Sequence, residues 1–485
     1  MITNRIFELA RSQPESTAIV WKNLKYNYAT FSRAIIATRN YFETQTVPRS
    51  GIILVVSKSI LDCWIIILAL RDIGVDTISV LSLAQAETLE LLKAECIVLA
   101  PGEDKEYKGG PTPIWSNRVI TVPDDICRNI YVGNLPSVQQ DSGRYGSHIL
   151  YTSGTTGAPK KVVMAGDKEE KRNKLTAKLY SYNAKTVFYA ANFHLNTAVG
   201  FRSPSAVWYK GGSVIYDQPS ENFTNFFANK ISSSILAPSK LRSLLKTKES
   251  QQTSPKEFEL FVGGGSLPLD MAESAARDLT EKIEVCYAST EIIGITLCSH
   301  FRTIDDLLWL SPVKGRRLEV VDESMRECPV GREGELRIAV TEVDAHSYLN
   351  DAVASARVFR DGFFYPGDLA VRRGDGRLRV LGRAADVLNL QGHKVAVAPI
   401  EQAFEKYLSV DEVCLFSGLN NQGEDEVVIA IKTDRPIPQS TMDELTLRFP
   451  SIKHLRFEVM KDFPSSSTGM KKTQRRVLRR LLFDN

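Results

Sequence analysis

Short apolar runs recur along the first three hundred residues, each bounded by Gly, Pro or polar clusters. They are "GIILVV" (51–56), "DTISVL" (76–81), "AECIVLA" (94–100), "SHILYT" (147–152), "KTVFYAA" (185–191), "GGSVIY" (211–216), "SSSILA" (232–237), "FELFVGG" (258–264) and "IEVCYAS" (283–289). Helical patterns lie between them: 58–71, "SKLRSLLKT" (239–247) and "LDMAESAARDLTEK" (269–282). Short apolar strands alternating with amphipathic helices predict an α/β fold with mainly parallel sheets flanked by helices. After about residue 310 the texture changes. "GELRIAV" (334–340), "GDLAVRRGDGRLRVLGR" (367–383) and "VLNLQG" (387–392) alternate apolar and polar positions around Gly-containing turns, which suits antiparallel strands. From 399 the order becomes helix, strand, strand, helix, strand, a compact α+β unit of about a hundred residues. The reading is a large domain over 1–383 that includes a β-rich subdomain, a hinge at 384–388, and a small mobile α+β domain over 389–485.

At 485 residues the chain is too long for one ordinary core. Its 43% hydrophobic and 24% charged content are those of a folded protein, and a net charge of +4 gives no reason to expect a nucleic-acid partner. Seven dispersed cysteines with no CxxC pair read as reduced thiols rather than a disulfide framework or a metal site. The start, "MITNRIFELARSQPES", is an amphipathic helix pattern with no apolar signal core. "CWIIILAL" (63–70) is far short of the roughly 20 residues a membrane span needs. A cytoplasmic protein is expected, with no membrane span.

The chemistry concentrates in "ILYTSGTTGAPKKVV" (149–163), where an apolar strand runs into a Gly/Ser/Thr loop, then Lys160 and a second strand. Converging backbone N–H groups and hydroxyls in such a loop can cradle phosphate oxygens. It is not the Walker loop, because Pro159 stands where that motif needs its second Gly and no helix follows the Lys. Three consecutive glycines end the strand in "FVGGGSLPL" (261–269), room enough for a flat ring against the backbone.

These stretches resemble the adenylate-forming (AMP-binding) enzymes: acyl- and aryl-CoA synthetases, stand-alone adenylation domains and luciferase. Thr152, Ser153, Gly154, Thr155, Thr156, Gly157 and Lys160 match the family loop TSGTTGxPKG, with Lys161 in place of its last Gly. The resemblance then runs in the family's order over nearly the whole chain. It implies that Gly264, Gly265 and Ser266 lie beside adenine and that Tyr287 of "YASTE" stacks on it, with Ala288 where Gly is usual. By the same resemblance Thr290 contacts phosphate, and Glu291 with Thr152 holds Mg²⁺. "DGFFYPGDL" (361–369) and "LGRAADVLNLQGHKV" (381–395) are similar to the family's ribose and hinge motifs, which implies that Asp368 accepts hydrogen bonds from the ribose hydroxyls and that Arg383 contacts ribose or phosphate. Ala385 stands where the family places an Asp or Lys pivot. His194 in "ANFHLNTAVGF" is either a satisfied core histidine or, as the resemblance implies, a lining of the carboxylate pocket with Val199, Gly263 and Ile295. No Asp lies between Phe193 and Phe201 to pair with a substrate ammonium.

The family's catalytic lysine falls in PxTxSGKxxRRxL. Aligned from Pro464, "PSSSTGMKKTQRRVLRRLL" (464–482) places Met470 there; aligned from Arg475 and Arg476, it places Lys472. A longer loop is cheap, whereas Met would remove the charge, so Lys472 is expected to be catalytic, with Lys471 as substitute. Arg475, Arg476, Arg479 and Arg480 read as a structural or solvated basic helix. The resemblance implies an enzyme that uses ATP and Mg²⁺ to convert a small carboxylic acid, not an α-amino acid, into an acyl-adenylate. It then transfers the acyl group to coenzyme A, or to the phosphopantetheine of a separate acyl or peptidyl carrier protein acting in trans. Ala385 and the tail also leave open an adenylate-binding protein with impaired catalysis.

Overall fold

The computed structural model describes residues 1–89, 91, 94–103, 118–127, 143–152, 159–217, 223–248, 257–384, 387–390, 393–419, 425–448, 455–465 and 473–483. The chain forms two compact units: Met1–Gly154 with Ala158–Arg302 and Val340–Ser355, and Thr155–Gly157 with Thr303–Ala339 and Ala356–Asn485.

The first unit is α/β, as the apolar periodicity predicts. One sheet runs Ile295–His300, Ile283–Ala288, Glu259–Gly263, Ser233–Leu236, Val187–Tyr189, Ser213–Tyr216, Thr17–Trp21, Leu24–Asn27. It is parallel from Ile283–Ala288 through Thr17–Trp21, and its flanking strands are antiparallel. The other runs Val119–Thr121, Cys96–Leu99, Ile52–Val56, Asp76–Val80, His148–Thr152, Lys160–Met164, with only the last pair antiparallel. In each sheet the chain leaves one strand in opposite directions. Val187–Tyr189 lies between Ser213–Tyr216 and Ser233–Leu236, and Ile52–Val56 lies between Asp76–Val80 and Cys96–Leu99. Such reversals open a crevice at the strands' carboxyl ends, where doubly wound sheets bind ligands.

The helix Ile60–Asp72 is buried from Ile60 to Arg71, matching its apolar character all round. Its last turn carries a charge inward. The Arg71 guanidinium is 0% exposed, lies 2.7 Å from Glu169, donates from Nε to the Gly146 carbonyl at 2.8 Å and stacks on Tyr145 and Phe201. The second oxygen of Glu169 accepts the Ile2 amide at 2.8 Å. A Cβ on Gly146 would lie 1.9 Å from the Val75 carbonyl oxygen, so only glycine lets the chain pass there.

The second unit is β-rich and then α+β. Antiparallel strands run Phe359–Arg360, Phe363–Phe364, Glu333–Ala339, Asp368–Arg372, Leu378–Arg383, with Leu318–Val321 also paired to Glu333–Ala339. Further on, Glu412–Leu419, Asp425–Lys432 and Leu455–Met460 form a three-stranded sheet. Period-two alternation gives that sheet two cores. Val413 and Leu415 face Val397 and Phe404 of the helix Val397–Leu408, and Cys414 and Phe416 face Leu478 of the helix Arg475–Phe483. The partition at 383 and 389 read from the sequence stays a proposal; Ala385 lies outside the described residues.

Removing one member of a buried ion pair strands the other in a low-dielectric interior. Arg71→Met is expected to lower unfolding free energy by about 3–5 kcal/mol in urea titrations, and the double change Arg71→Met, Glu169→Leu is expected to recover much of it. A loss under about 1 kcal/mol, the range typical of exposed pairs, would contradict this account.

Candidate active site

Thr152 and Lys160 pair as the last rung of the ribbon formed by His148–Thr152 and Lys160–Met164, so both ends of the Gly/Ser/Thr loop are held together. Ser153, Gly154, Thr155, Thr156 and Gly157 lie outside the described residues. The Lys160 ammonium contacts Asp351 Oδ2 at 2.7 Å. Asp351 is also the N-cap of the helix Ala352–Val358, accepting the Ala354 amide at 2.9 Å through Oδ1. A capping carboxylate is stabilised at a helix N-terminus, so Asp351 meets the ammonium with one oxygen while the other caps the helix.

The segment from Asp344 to Asp351 binds two other parts of the first unit. The buried Tyr348 hydroxyl donates to Glu291 Oε1 at 2.7 Å, the Ala345 amide to the Glu291 carbonyl at 2.9 Å, and the Ile293 amide to Asp344 Oδ1 at 2.7 Å. The Leu349 amide donates to the Lys161 carbonyl at 2.9 Å. Asn350, at φ 56°, turns the chain between these contacts in the left-handed conformation that Asn tolerates. From the other side the Arg202 guanidinium donates to the Ile292 carbonyl at 2.8 Å and the Ser289 carbonyl at 3.3 Å. Glu291 is therefore buried, 7% exposed, in a loop held on both flanks.

Tyr287 and Ala288 end the strand Ile283–Ala288, which lies parallel to Glu259–Gly263 with Cys286 opposite Gly263. Carboxyl ends of neighbouring strands thus bring the glycine turn and the "YASTE" segment side by side. The glycines differ in what they do. A Cβ on Gly263 would meet the Cys286 carbonyl oxygen at 2.9 Å, and Gly264 has φ 83°, whereas Gly265 meets only Pro238 at ordinary contact distance. Gly264, Gly265 and Ser266 are exposed.

His194 follows Val187–Tyr189, the strand at which the sheet order reverses. Its loop is stitched to the other sheet: the Tyr151 amide donates to the Asn196 carbonyl, and His148 Nε2 contacts the Leu195 carbonyl, each at 3.0 Å. Thr197 caps the helix Ala198–Lys210 that leaves the loop. A Cβ on Gly200 would lie 2.1 Å from the His194 carbonyl oxygen, so glycine is required for this close entry. Both ring nitrogens of His194 and Oδ1 of Asn196 are buried without a hydrogen bond of ordinary geometry. Burial pushes the His194 pKa down to about 4, against smaller upward effects of the nearby Ser57 backbone and Asn196 side chain. The ring is therefore neutral at pH 7. Val199 is half-buried and Ile295 buried.

In the second unit Asp368 and Arg383 face each other across a β-pair, with Nε 3.1 Å from Oδ1, and Arg383 also donates to the Pro366 carbonyl. Lys471 and Lys472 lie outside the described residues. Their loop is pinned at its base, where Ser465 pairs with Thr473 and the Gln474 amide donates to the Pro464 carbonyl at 2.7 Å. Arg475 is structural: it bonds Glu401 at 2.8 Å and the Leu415 carbonyl at 2.9 Å and stacks on Phe416.

Tyr348, Asp344, Asp351 and Arg202 were not singled out from the sequence. Only Asp351 left a signal, as a capping residue ahead of the helix-forming "AVASARV".

The sequence profile described as "AMP-binding enzyme" matches residues 6–343, more than half of the chain. The chain belongs to that family. It is 26% identical over 370 residues to the peroxisomal trans-cinnamate:CoA ligase of Petunia hybrida, covering 70% of this chain and 63% of that one. It is 23% identical over 368 residues to bacitracin synthase 1 of Bacillus licheniformis, covering 70% of this chain and 7% of that one. The chain thus spans less than two thirds of these relatives. The crystal structure of the anthranilate CoA ligase AuaEII in complex with anthranoyl-AMP has the same fold, with a TM-score of 0.81 at 18% identity, covering 99% of this chain and 97% of that one. Among the described residues no helix is long and apolar enough to cross a membrane.

Two measurements test this geometry. A histidine held neutral in the folded state loses ground when the unfolded chain takes a proton first. The stability His194 contributes is complete above about pH 6.5, the ordinary value, and is lost as pH falls through the folded value of about 4. Its Cε1–H resonance is expected to titrate near the lower value; a midpoint near the ordinary one would contradict the burial. Tyr348→Phe leaves a buried carboxylate short of a donor and is expected to cost about 1–3 kcal/mol in unfolding free energy. An unchanged stability would mean that Glu291 does not depend on this hydroxyl.

Proposed function

We propose that the protein uses ATP to convert a carboxylic acid into an acyl-adenylate and pyrophosphate, then passes the acyl group to a thiol as an acid–CoA ligase. A carboxylate is a poor electrophile, since its leaving group would be oxide; adenylation supplies a good one. Little covalent work is asked of the chain, which must align two anions and offset their repulsion. The observation that carries the reading is the set of hydrogen bonds that links Lys160, Glu291 and the glycine-turn strands at the carboxyl ends of one unit.

In this reading the Thr152–Gly157 loop, Lys160 and Thr290 receive the phosphates, and Asp351 positions the Lys160 ammonium. Gly264, Gly265, Ser266, Tyr287 and Ala288 accommodate adenine; in the second unit Asp368 is assigned to the ribose hydroxyls and Arg383 to ribose or phosphate. Glu291 suits Mg²⁺, a hard cation that takes one or two carboxylates and completes its shell with water and phosphate; Thr152 is the second candidate ligand. When bound, the metal offsets phosphate charge. The described residues contain no group of three or more ligands that would suggest a different ion. His194, neutral and short of partners, lines the acid pocket with Val199, Gly263 and Ile295. A neutral His194, with no Asp between Phe193 and Phe201, favours an acid without an α-ammonium.

Similarity to bacitracin synthase 1 supports a second reading, in which the acceptor is the phosphopantetheine of a separate carrier protein.

Pyrophosphate exchange into ATP, run across aromatic, short-chain and longer acids, is expected to reveal at least one substrate. Exchange with none of them while ATP still binds would leave an adenylate-binding protein with impaired catalysis. Lys472→Ala is expected to lower exchange by about 10²–10³-fold, the loss typical of removing a charge-stabilising group, and Lys471→Ala by much less. Small equal effects would mean that the tail is merely solvated. Offering coenzyme A against a carrier protein decides the acceptor.

A further inference from the structure

Two of the seven cysteines are not dispersed in space. Cys286 and Cys298 lie directly opposite each other on the antiparallel strands Ile283–Ala288 and Ile295–His300, with Sγ atoms 3.4 Å apart. The Phe301 amide donates to the Ile283 carbonyl at 2.8 Å. Counting along the ladder, Cys286 and Cys298 fall on a non-hydrogen-bonded rung, where opposite Cα atoms approach to about 4.5 Å. That separation lies inside the range a disulfide spans, about 4.4–6.8 Å, and rotation about χ1 can bring the sulfurs to about 2.05 Å. Cys286 is buried and Cys298 half-buried, so one thiol of the pair is open to a reagent. Beside them the Cys298 thiol donates to Glu284 Oε2 at 3.4 Å, and Glu284 Oε1 meets His300 Nδ1 at 2.9 Å. The other five cysteines are buried.

We propose that Cys286 and Cys298 are a reversible modification site, a dithiol that a low-molecular-weight disulfide converts to a cross-strand disulfide. Cys298, whose thiol donates to Glu284, gives up its proton as it attacks one sulfur of the reagent and expels a thiolate, leaving a mixed disulfide. Cys286 then gives up its proton and attacks Cys298 Sγ, expelling the second thiolate. The reagent is reduced to two thiols, which take up the two protons, and the protein dithiol is oxidised; excess thiol reverses both steps. The new bond closes the segment from Tyr287 to Leu297, which holds Tyr287, Thr290 and Glu291. Only the assignment of that segment to nucleotide rests on the adenylation reading.

The test is to incubate the full chain under native conditions with oxidised glutathione, then unfold it in denaturant, block remaining thiols with iodoacetamide and map peptides by mass spectrometry. The expected result is a Cys286–Cys298-linked peptide two hydrogens lighter, near-complete loss of alkylation at both positions, and reversal by dithiothreitol. Cys286→Ser should stop the reaction at a glutathione adduct on Cys298, and Cys298→Ser should abolish the reaction at this pair. A wild-type protein that stops at the Cys298 adduct, or in which both thiols remain alkylatable, overturns the proposal. No nucleotide enters this assay, so its failure leaves adenylation untouched, and absent pyrophosphate exchange leaves the crosslink standing.

Discussion

A buried carboxylate must be held by donors, and Glu291 is held by a tyrosine fifty-seven positions further along the chain. The Tyr348 hydroxyl reaches it because the segment Val340–Ser355 returns to the first unit between two stretches that belong to the second. From that segment Asp351 anchors Lys160, Leu349 bonds the strand after the loop, and Asp344 fixes the Ile293 amide. Arg202 holds the same hairpin from the opposite flank. Remove the returning segment and the residues assigned to phosphate and metal lose their common support.

The cost of this arrangement is desolvation. Glu291, Arg71, Glu169 and His194 are all nearly out of water, and an ionised group so placed must find donors or opposite charge. Three of the four do. His194 does not: its nitrogens lack ordinary partners and burial keeps it neutral. It stands after a strand where the sheet order reverses, the place where such sheets receive ligands. A polar group left short of partners there is consistent with one completed by a bound acid.

Much of the fold was legible because parallel strands buried on both faces read as apolar runs. "GIILVV" became Ile52–Val56, "DTISVL" became Asp76–Val80, and "FELFVGG" became Glu259–Gly263. The juxtaposition of the glycine turn with "YASTE" was legible only through resemblance, since nothing local says that Gly263 will lie opposite Cys286. The helix Ala198–Lys210 was not read at all: Pro204 sits inside it, and packing outweighs the local penalty. Tyr348 and Arg202 could not be found from pattern, because a hydrogen bond over such a sequence separation leaves no periodic trace. The tail lysines remain a matter of alignment, although Arg475 proved to be a core contact rather than a solvated charge.

We propose that Glu291, placed by Tyr348, is the residue through which divalent metal and nucleotide bind together. Calorimetric titration of ATP into the protein, with Mg²⁺ and with the metal chelated, tests it most directly when repeated on Glu291→Gln. Mg²⁺ is expected to strengthen ATP binding to the wild-type chain, and this enhancement is expected to disappear in the variant while metal-free affinity is retained. An equal Mg²⁺ enhancement in both proteins would contradict it.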